Sequence, residues 1–164
     1  MELADAMRAT GSVRDFRADP VPLATIYQVL DDARFAPSGG NRQGWRVVVV
    51  TDPDVRAAIG ELLRVGWYGD HAPIFAGDRP IERWGYADHV EDVPVQLIVL
   101  VSEASITTTI EALDTSRLVG GSSVYPFVQN ILLGLRDQGL GTTLTTVLVT
   151  VEAEVKELLK IPAG

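Results

Sequence analysis

The sequence predicts an α+β fold in which a sheet of three or more strands is flanked by helices on both faces. Two observations lead to this expectation. Apolar, β-branched runs of strand length alternate along the chain with segments in which apolar residues recur at helical spacing. The expected strands are Trp45 to Val50, Val93 to Val101 and Gly141 to Val149. Taken alone, the run from Val47 to Val50 is also compatible with a short piece of core helix.

Helical periodicity and helix-end signals place the remaining elements. The expected helices are Glu2 to Arg8, Leu23 to Phe35, one that begins after Asp52-Pro53, one within 118–136 and one capped by Thr150. Pro37 ends the second of these helices, and Pro126 must either kink or start the fourth. Gly139 suits the C-terminal cap of the fourth helix. With 164 residues, we expect a single domain over 1–164.

The segment from Val65 to Val90 has no clear periodicity. It holds two of the three tryptophans, both histidines and many glycines, prolines and charged residues. An irregular stretch of this length inside a compact domain is either disordered or a functional lid. Trp67, Tyr68 and Trp84 are therefore candidate lid aromatics that would contact a substrate.

Composition excludes several function classes. The composition is typical of a soluble globular domain, no run is long enough to span a membrane, and the acidic N-terminus does not resemble a signal peptide, so we expect a cytoplasmic protein. The net charge of −8 argues against nucleic acid as the main partner. The chain has no cysteine, and redox chemistry would therefore need a cofactor.

Common catalytic and metal-binding motifs are missing. The sequence contains no nucleophile elbow, Walker loop, HExxH helix or GxGxxG turn. His71 and His89 stand singly, without ligand spacing around them, and surface positions explain them better than metal ligation. We therefore predict no metal site.

The segment APSGGNRQGW, from Ala36 to Trp45, has the residues of a binding loop. Gly39 and Gly40 permit close approach of the backbone to a ligand. Ser38, Asn41 and Gln43 add uncharged donors and acceptors, which suit the edge of a flat heterocycle. A surface loop rich in turn formers is the alternative interpretation.

Two further stretches are polar for their surroundings. Arg8, Ser12 and Arg14 surround a glycine and could meet a phosphate or a carboxylate, although arginine is common in this chain and clusters of it arise easily. Leu144 to Thr146 lie in an apolar run, where threonines also serve as ordinary strand residues.

Taken together, these stretches closely resemble the nitroreductase family of FMN-dependent flavoproteins. The matching motifs are Arg8 with SVRDF at 12–16, APSGGNRQGW at 36–45, Gln129-Asn130, and GLGT at 139–142. The resemblance covers nearly the whole chain in order. It implies a mixed β-sheet flanked by helices in three α-β-α layers, and an obligate-type homodimer with FMN at its interface.

The resemblance also implies a cofactor site. Arg14 would lie at the pyrimidine end of the flavin, where a fixed cation makes reduction easier. Asn41 and Gln43 would bind the polar edge and ribityl chain, and Pro37 to Gly40 would pack on the flavin from the partner subunit. Leu144 to Thr146 resemble the segment whose backbone N–H faces flavin N5. The implied cofactor-binding residues are Arg8, Ser12, Val13, Arg14, Pro37, Ser38, Gly39, Gly40, Asn41, Gln43, Gly141, Leu144, Thr145 and Thr146.

Two departures from the family pattern stand out. Thr10 and Gly11 occupy positions where basic residues are usual, and we expect Arg8 to compensate. Relatives usually continue with a strand and a tail that supplies a basic residue for the FMN phosphate. Either that tail has been removed from the sequence, which we favour, or this protein binds FMN more weakly.

The implied activity is ping-pong transfer of a hydride from NADH or NADPH, through flavin N5, to an electron-poor small molecule such as a nitroaromatic or quinone. No side chain is required as acid or base, and we name no catalytic residue. The alternatives on the same fold are a dehalogenase, an ene-reductase or a flavin-degrading enzyme. A non-catalytic FMN-binding protein and a ligand-free interaction domain also remain open.

Overall fold

The computed structural model describes residues 1–69, 87–102, 105 and 121–162. The helices within them are α1 (Leu3–Ala9), α2 (Leu23–Ala33), α3 (Pro53–Tyr68), α4 (Val124–Asp137) and α5 (Glu152–Leu158). The strands are β1 (Trp45–Val50) and β2 (Gln96–Val101), and 3-10 helices lie at Gly39–Asn41, Val90–Asp92 and Val147–Val151. In these parts of the chain, no helix is both long and apolar enough to cross a membrane.

β1 and β2 pair in antiparallel fashion, with Trp45 opposite Val101 and Val50 opposite Gln96. β1 has the predicted bounds. β2 begins at Gln96 instead of Val93, because Pro94 has no N–H for a strand ladder and the Val93 N–H donates to the carbonyl of Val90 at 3.3 Å.

The prediction of a third strand over Gly141 to Val149 is wrong for the described structure. A single parallel bridge joins Ser12 to Thr142, and the chain then enters the 3-10 helix Val147–Val151. A strand would place Val147, Val149 and Val151 on one face. Instead Val147 and Val151 are buried while Val149 is 70% exposed, so packing against the rest of the fold overrides the β-branched composition.

The predicted cap of the last helix is also wrong. Val151 holds the N-cap position of α5, and the Thr150 hydroxyl donates to the carbonyl of Val147 at 2.8 Å, within the preceding 3-10 helix. Thr150 directly precedes the N-cap residue, but this hydrogen bond engages its hydroxyl within the 3-10 helix and not at the end of α5.

Helices α2 and α4 build the main core with β1. The buried residues of this core are Ile26, Val29, Ala33, Ala36, Trp45, Phe127, Val128, Ile131 and Leu135. The Trp45 ring stacks on Phe127 with centroids 4.6 Å apart and an interplanar angle of 8°. Trp45 therefore ties the end of the 36–45 loop to the centre of the core.

The helix boundaries follow local signals in most places. The Asp52 carboxylate accepts hydrogen bonds from the N–H groups of Asp54 and Val55 at 3.0 and 3.1 Å, which confirms the predicted start of α3. Pro126 lies in the first turn of α4 and starts the helix without kinking it. Gly139 follows α4 with a φ of 78°, as expected for a C-terminal cap.

Helix α3 is longer than predicted, because Val65 to Tyr68 continue it and are not part of an irregular segment. A second buried cluster of Leu63, Ala87 and Val90 joins α3 to the chain that follows. Residues 70–86 of the predicted lid, including Trp84, lie outside the described residues.

Helix α1 does not bury the apolar face that its periodicity predicted. Ala6 is buried at 4% exposure, but Leu3 and Met7 are exposed. Leu3 and Met7 therefore lie on the surface of the single chain.

Candidate functional site

The loop between α2 and β1 adopts an unusual backbone. Three of its residues have positive φ angles: Gly40 (59°), Asn41 (53°) and Gln43 (48°). Glycine and asparagine adopt this conformation readily, but a glutamine there is uncommon. Strained backbone of this kind concentrates at ligand-binding sites, where the surrounding structure enforces it.

Hydrogen bonds hold the loop in this shape. The Gly39 N–H donates to Ser123 Oγ, at the start of α4, at 3.0 Å. The Gln43 N–H donates to Ser38 Oγ at 3.1 Å, and Gln43 Nε2 donates to Asn41 Oδ1 at 3.2 Å. Among the described contacts, the amide pair still presents a donor, Asn41 Nδ2, and an acceptor, Gln43 Oε1.

The structure brings the first basic cluster to the segment that follows α4. Ser12 pairs with Thr142 in a parallel bridge, and the Val13 N–H donates to the Thr142 carbonyl at 2.8 Å. Gly141 therefore lies beside Val13, and both are among the residues that the resemblance implies for the cofactor. Thr142 was not among the predicted binding residues, and a non-local pairing of this kind leaves no local sequence signal.

The two arginines of this cluster are on the surface. Arg8 lies in the last turn of α1, and both Arg8 and Arg14 are exposed. Both side chains carry positive charge at the surface, which suits an anionic group of a ligand.

Leu144 to Thr146 lead directly into the 3-10 helix Val147–Val151. Leu144 is 53% exposed and Thr146 is exposed, so their backbone lies at the surface. Val147, at 2% exposure, anchors the segment from behind, and its N–H donates to Thr145 Oγ1 at 3.3 Å. An exposed backbone on a buried anchor is well suited to contact a ligand.

Trp67 and Tyr68 lie on the last turn of α3. Trp67 is half-buried and packs against the Leu63, Ala87 and Val90 cluster. The Tyr68 hydroxyl donates to Asp88 Oδ2 at 3.0 Å. Burial raises the pKa of the Tyr68 phenol, and the hydrogen bond and the charge of Asp88 raise it further. These contacts connect both aromatic residues to the 87–90 segment.

A network centred on Arg64 attaches the same segment to α3. Arg64 Nη2 donates to Glu61 Oε1 and Nη1 to Glu91 Oε2, both at 2.8 Å, and these hydrogen bonds raise the pKa of Arg64. Partial burial acts to raise the pKa of Glu91, but hydrogen bonds from its own backbone and from Arg64 outweigh burial and lower it. The Glu91 carboxylate is therefore held ionised.

A surface hollow of about 460 Å³ lies elsewhere on the molecule. Its lining includes Val21, Arg56 and Asp92 and none of the predicted cofactor-binding residues. In the described part of the chain, no group of three or more His, Asp or Glu residues is arranged to hold a metal ion. The polar loop, the Ser12–Thr142 pairing and Leu144 to Thr146 remain the best candidate site.

The curated relatives of this chain include an NADH dehydrogenase and iodotyrosine deiodinases. Over 63 residues the chain is 40% identical to an NADH dehydrogenase of Thermus thermophilus, a stretch that covers 38% of this chain and 31% of that protein. The chain thus matches less than a third of the length of this curated relative.

Solved structures share the fold over the full length. An FMN and NADPH-dependent nitroreductase of a Sphigopyxis strain aligns with a TM-score of 0.74 at 20% identity, over 99% of this chain and 82% of its own. An iodotyrosine deiodinase bound to FMN and 3-iodo-L-tyrosine aligns with a TM-score of 0.67 at 24% identity, over 98% of this chain and 82% of its own.

These alignments confirm the α+β class and its nitroreductase-like architecture. The model of the nitroreductase family matches residues 7–164, which is nearly the whole chain. This protein belongs to the nitroreductase family.

Proposed function

We propose that the protein is an FMN-dependent oxidoreductase that moves a hydride from NADH or NADPH to an electron-poor small molecule such as a nitroaromatic or quinone. The observation that carries the proposal is the loop from Ser38 to Gln43, with its positive φ angles and its outward amide donor and acceptor. Family membership supports it, as do the relatives described as an NADH dehydrogenase and an FMN and NADPH-dependent nitroreductase.

The residues present fit FMN by their chemistry. A flavin edge alternates N–H and C=O groups, and the Asn41–Gln43 pair offers a matching donor and acceptor. Exposed Arg8 and Arg14 suit the phosphate and the electron-rich pyrimidine end. When bound, the flavin supplies the hydride acceptor and donor, and the protein supplies position and electrostatics.

Each part of the site then has a separate role. Ser38 to Gly40 contribute backbone shape next to the ring, and Leu144 to Thr146 contribute backbone N–H groups. Arg14 supplies a fixed positive charge, which stabilises the negative charge that develops on reduction. Reduction of the cofactor should therefore become less favourable when this cation is removed.

We propose that a second copy of the chain completes the site. Large apolar side chains lie exposed on the single chain, and they include Leu3, Met7, Phe35, Tyr125, Leu144 and Val149. Phe35, at 75% exposure, directly precedes the loop, and Leu144 lies in the segment assigned to N5. Large exposed apolar residues that adjoin a polar site in this way are typical of a surface that a partner covers.

Mixed dimers test this assignment. If Gln43 and Arg14 serve the same flavin from different subunits, a heterodimer of Gln43→Ala and Arg14→Ala chains has one site with both defects and one intact site. We expect it to bind FMN at half of its sites with wild-type affinity, whereas both homodimers bind weakly. A heterodimer with no intact site, in which one site binds like the Gln43→Ala homodimer and the other like the Arg14→Ala homodimer, would show that both residues come from one subunit.

Steady-state turnover tests the activity. The purified protein is titrated with FMN, and consumption of NADH and NADPH is then followed with a quinone and with a nitroaromatic acceptor. We expect saturable FMN binding and acceptor-dependent consumption of at least one nicotinamide. Bound FMN without turnover would indicate a non-catalytic flavin-binding protein, and failure to bind FMN would indicate a ligand-free interaction domain.

A reductive dehalogenase is the second candidate, because an iodotyrosine deiodinase is among the structures with this fold and a rat iodotyrosine deiodinase is 36% identical over 62 residues. The discriminating assay supplies FMN-loaded protein with dithionite and 3-iodo-L-tyrosine and measures iodide release. Iodide release together with absence of NAD(P)H turnover would favour the dehalogenase.

A further inference from the structure

Helix α3 passes unusually close to the chain that follows Leu144 to Thr146. The closest approach is at Gly66, which is buried. A Cβ atom added there would lie 2.5 Å from Thr150 Oγ1, 2.9 Å from Val147 Cγ1 and 3.2 Å from the Val147 carbonyl oxygen. Ordinary van der Waals contact of a Cβ begins at 3.4 Å. Even one methyl group at this position therefore requires a displacement on the order of 1 Å.

The atoms opposite Gly66 have little freedom to yield. Val147 is 2% exposed and fully packed. The Thr150 hydroxyl cannot rotate away without losing its 2.8 Å hydrogen bond to the Val147 carbonyl. A methyl group at position 66 would thus move the backbone of the 3-10 helix Val147–Val151 as well as its side chains.

Such a movement reaches the preceding residues directly. The Val147 N–H is bonded to Thr145 Oγ1 at 3.3 Å, and the Val149 N–H is bonded to the Thr146 carbonyl at 3.1 Å. These two hydrogen bonds join the buried 3-10 helix to the exposed Leu144 to Thr146 segment. A shift on the buried side is therefore passed on to the surface that the proposed function assigns to the flavin.

We infer that Gly66 is a positioning residue: its lack of a side chain lets α3 set the backbone of Leu144 to Thr146 at the correct distance from flavin N5. The inference rests on the proposed function and adds a residue that does not touch the cofactor. Position matters strongly in such a site, since a misplacement of about 1 Å can slow a reaction about 100-fold.

Gly66→Ala tests the inference, with Gly60→Ala as the matched control. Both glycines are buried on α3. Both changes add one methyl group and raise the helix propensity by the same amount. At Gly60 the methyl group would face Glu91 Oε2 at 3.0 Å and Val90 Cγ1 at 3.4 Å, which is the other segment packed on α3. The methyl group at position 60 would thus need only a small shift of the Glu91 side chain, whereas the methyl group at position 66 would press on Val147 and Thr150.

The measurements are the FMN dissociation constant, the midpoint potential of the bound flavin and the rate of its anaerobic reduction by NADH or NADPH. For Gly66→Ala we expect a lower potential and reduction about 10- to 100-fold slower, with a nearly unchanged FMN dissociation constant. Gly60→Ala should match the wild type in all three. A Gly66→Ala protein with wild-type potential and reduction rate overturns the inference, as does an equal effect of Gly60→Ala.

Thr150→Val provides a second route if Gly66→Ala does not fold. It removes the hydroxyl that bonds to the Val147 carbonyl while keeping the side-chain size, and Thr150→Ser keeps the hydroxyl. We expect a lowered flavin potential in Thr150→Val and recovery in Thr150→Ser; equal potentials in both variants overturn the inference. A wild-type protein that binds no FMN rejects the proposed function first and the inference with it.

Discussion

The backbone at Gln43 gives a direct test of strain in the candidate site. Its φ of 48° lies in the left-handed region, which costs a residue with a Cβ roughly 1–2 kcal/mol. Glycine avoids this cost but loses more conformational freedom on folding, by roughly 0.5–1 kcal/mol. Gln43→Gly should therefore be more stable than Gln43→Ala by about 0.5–1 kcal/mol.

Thermal unfolding of the cofactor-free protein measures the difference. For a chain of this length, the melting temperature of Gln43→Gly should exceed that of Gln43→Ala by about 1–4 °C at equal protein concentration. Ala57→Gly, on the exposed side of α3, is the control. It should lower stability, because in a helix glycine is less stable than alanine. An alanine variant at position 43 that equals or exceeds the glycine variant in stability would refute the reasoning.

The same pair of variants separates strain from binding. Both lose the side-chain amide that bonds to Asn41 and presents Gln43 Oε1. One hydrogen bond of about 1 kcal/mol corresponds to about fivefold in affinity, and both variants should therefore bind FMN about fivefold more weakly. The stability of the two should differ while their affinity loss is similar.

Three further predictions concern charge and helix ends. Arg14→Ala should weaken FMN binding and slow its reduction, by about 10-fold for a charged contact of about 1.5 kcal/mol, while Arg17→Ala, another exposed arginine of the same segment, leaves both unchanged. Equal effects of Arg14→Ala and Arg17→Ala would mean that FMN binding and reduction depend on the net charge of the segment and not on the position of Arg14. Asp52→Ala should lower the free energy of unfolding by about 1 kcal/mol, because the α3 cap is lost, and the melting temperature should fall by about 2–4 °C. Asp52→Asn should retain most of the wild-type stability, because asparagine also caps helices. Glu91 has a lowered pKa in the folded state, so its contribution is present above the unfolded value of 4.5 and is lost as the pH falls through the folded value. Glu91→Gln should thus reduce the free energy of unfolding at neutral pH and flatten its fall in acid, whereas Glu61→Gln, which removes a more exposed carboxylate from the same arginine, should reduce the free energy of unfolding at neutral pH less. Identical pH profiles for Glu91→Gln and wild type would contradict this.

Elements with strong local signals could be predicted from the sequence. β1 has the predicted bounds because its run of valines is bounded by the loop and by the Asp52 cap. The start of α4 at Val124, with Pro126 in its first turn, follows from the fixed φ and missing N–H of proline. These features depend on a few neighbouring residues, and neighbouring residues are what a sequence pattern reports.

Features set by tertiary packing could not be predicted in the same way. The segment after Gly141 has the composition of a strand, but Val147 and Val151 are buried around an exposed Val149, which is helical and not strand spacing, and the structure has a 3-10 helix there. The exposure of Leu3 and Met7 likewise depends on what lies beside α1 and not on its periodicity.

The candidate site was predicted in its composition but not in its geometry. The loop residues were identified by type, yet the positive φ of Gln43 has no sequence signal, because glutamine does not favour it. The pairing of Ser12 with Thr142 joins distant parts of the chain. Trp67 was expected as a lid aromatic that contacts a substrate. The structure shows that it also packs on α3 against the cluster that contains Leu63.

Anaerobic reduction of the FMN-loaded protein tests the central claim most directly. The visible absorbance of the bound flavin is followed as NADH or NADPH is added without oxygen, and a quinone is then introduced. We predict that the absorbance falls with at least one nicotinamide and returns when the quinone is added. Bound flavin whose absorbance persists with both nicotinamides would contradict the proposed hydride transfer.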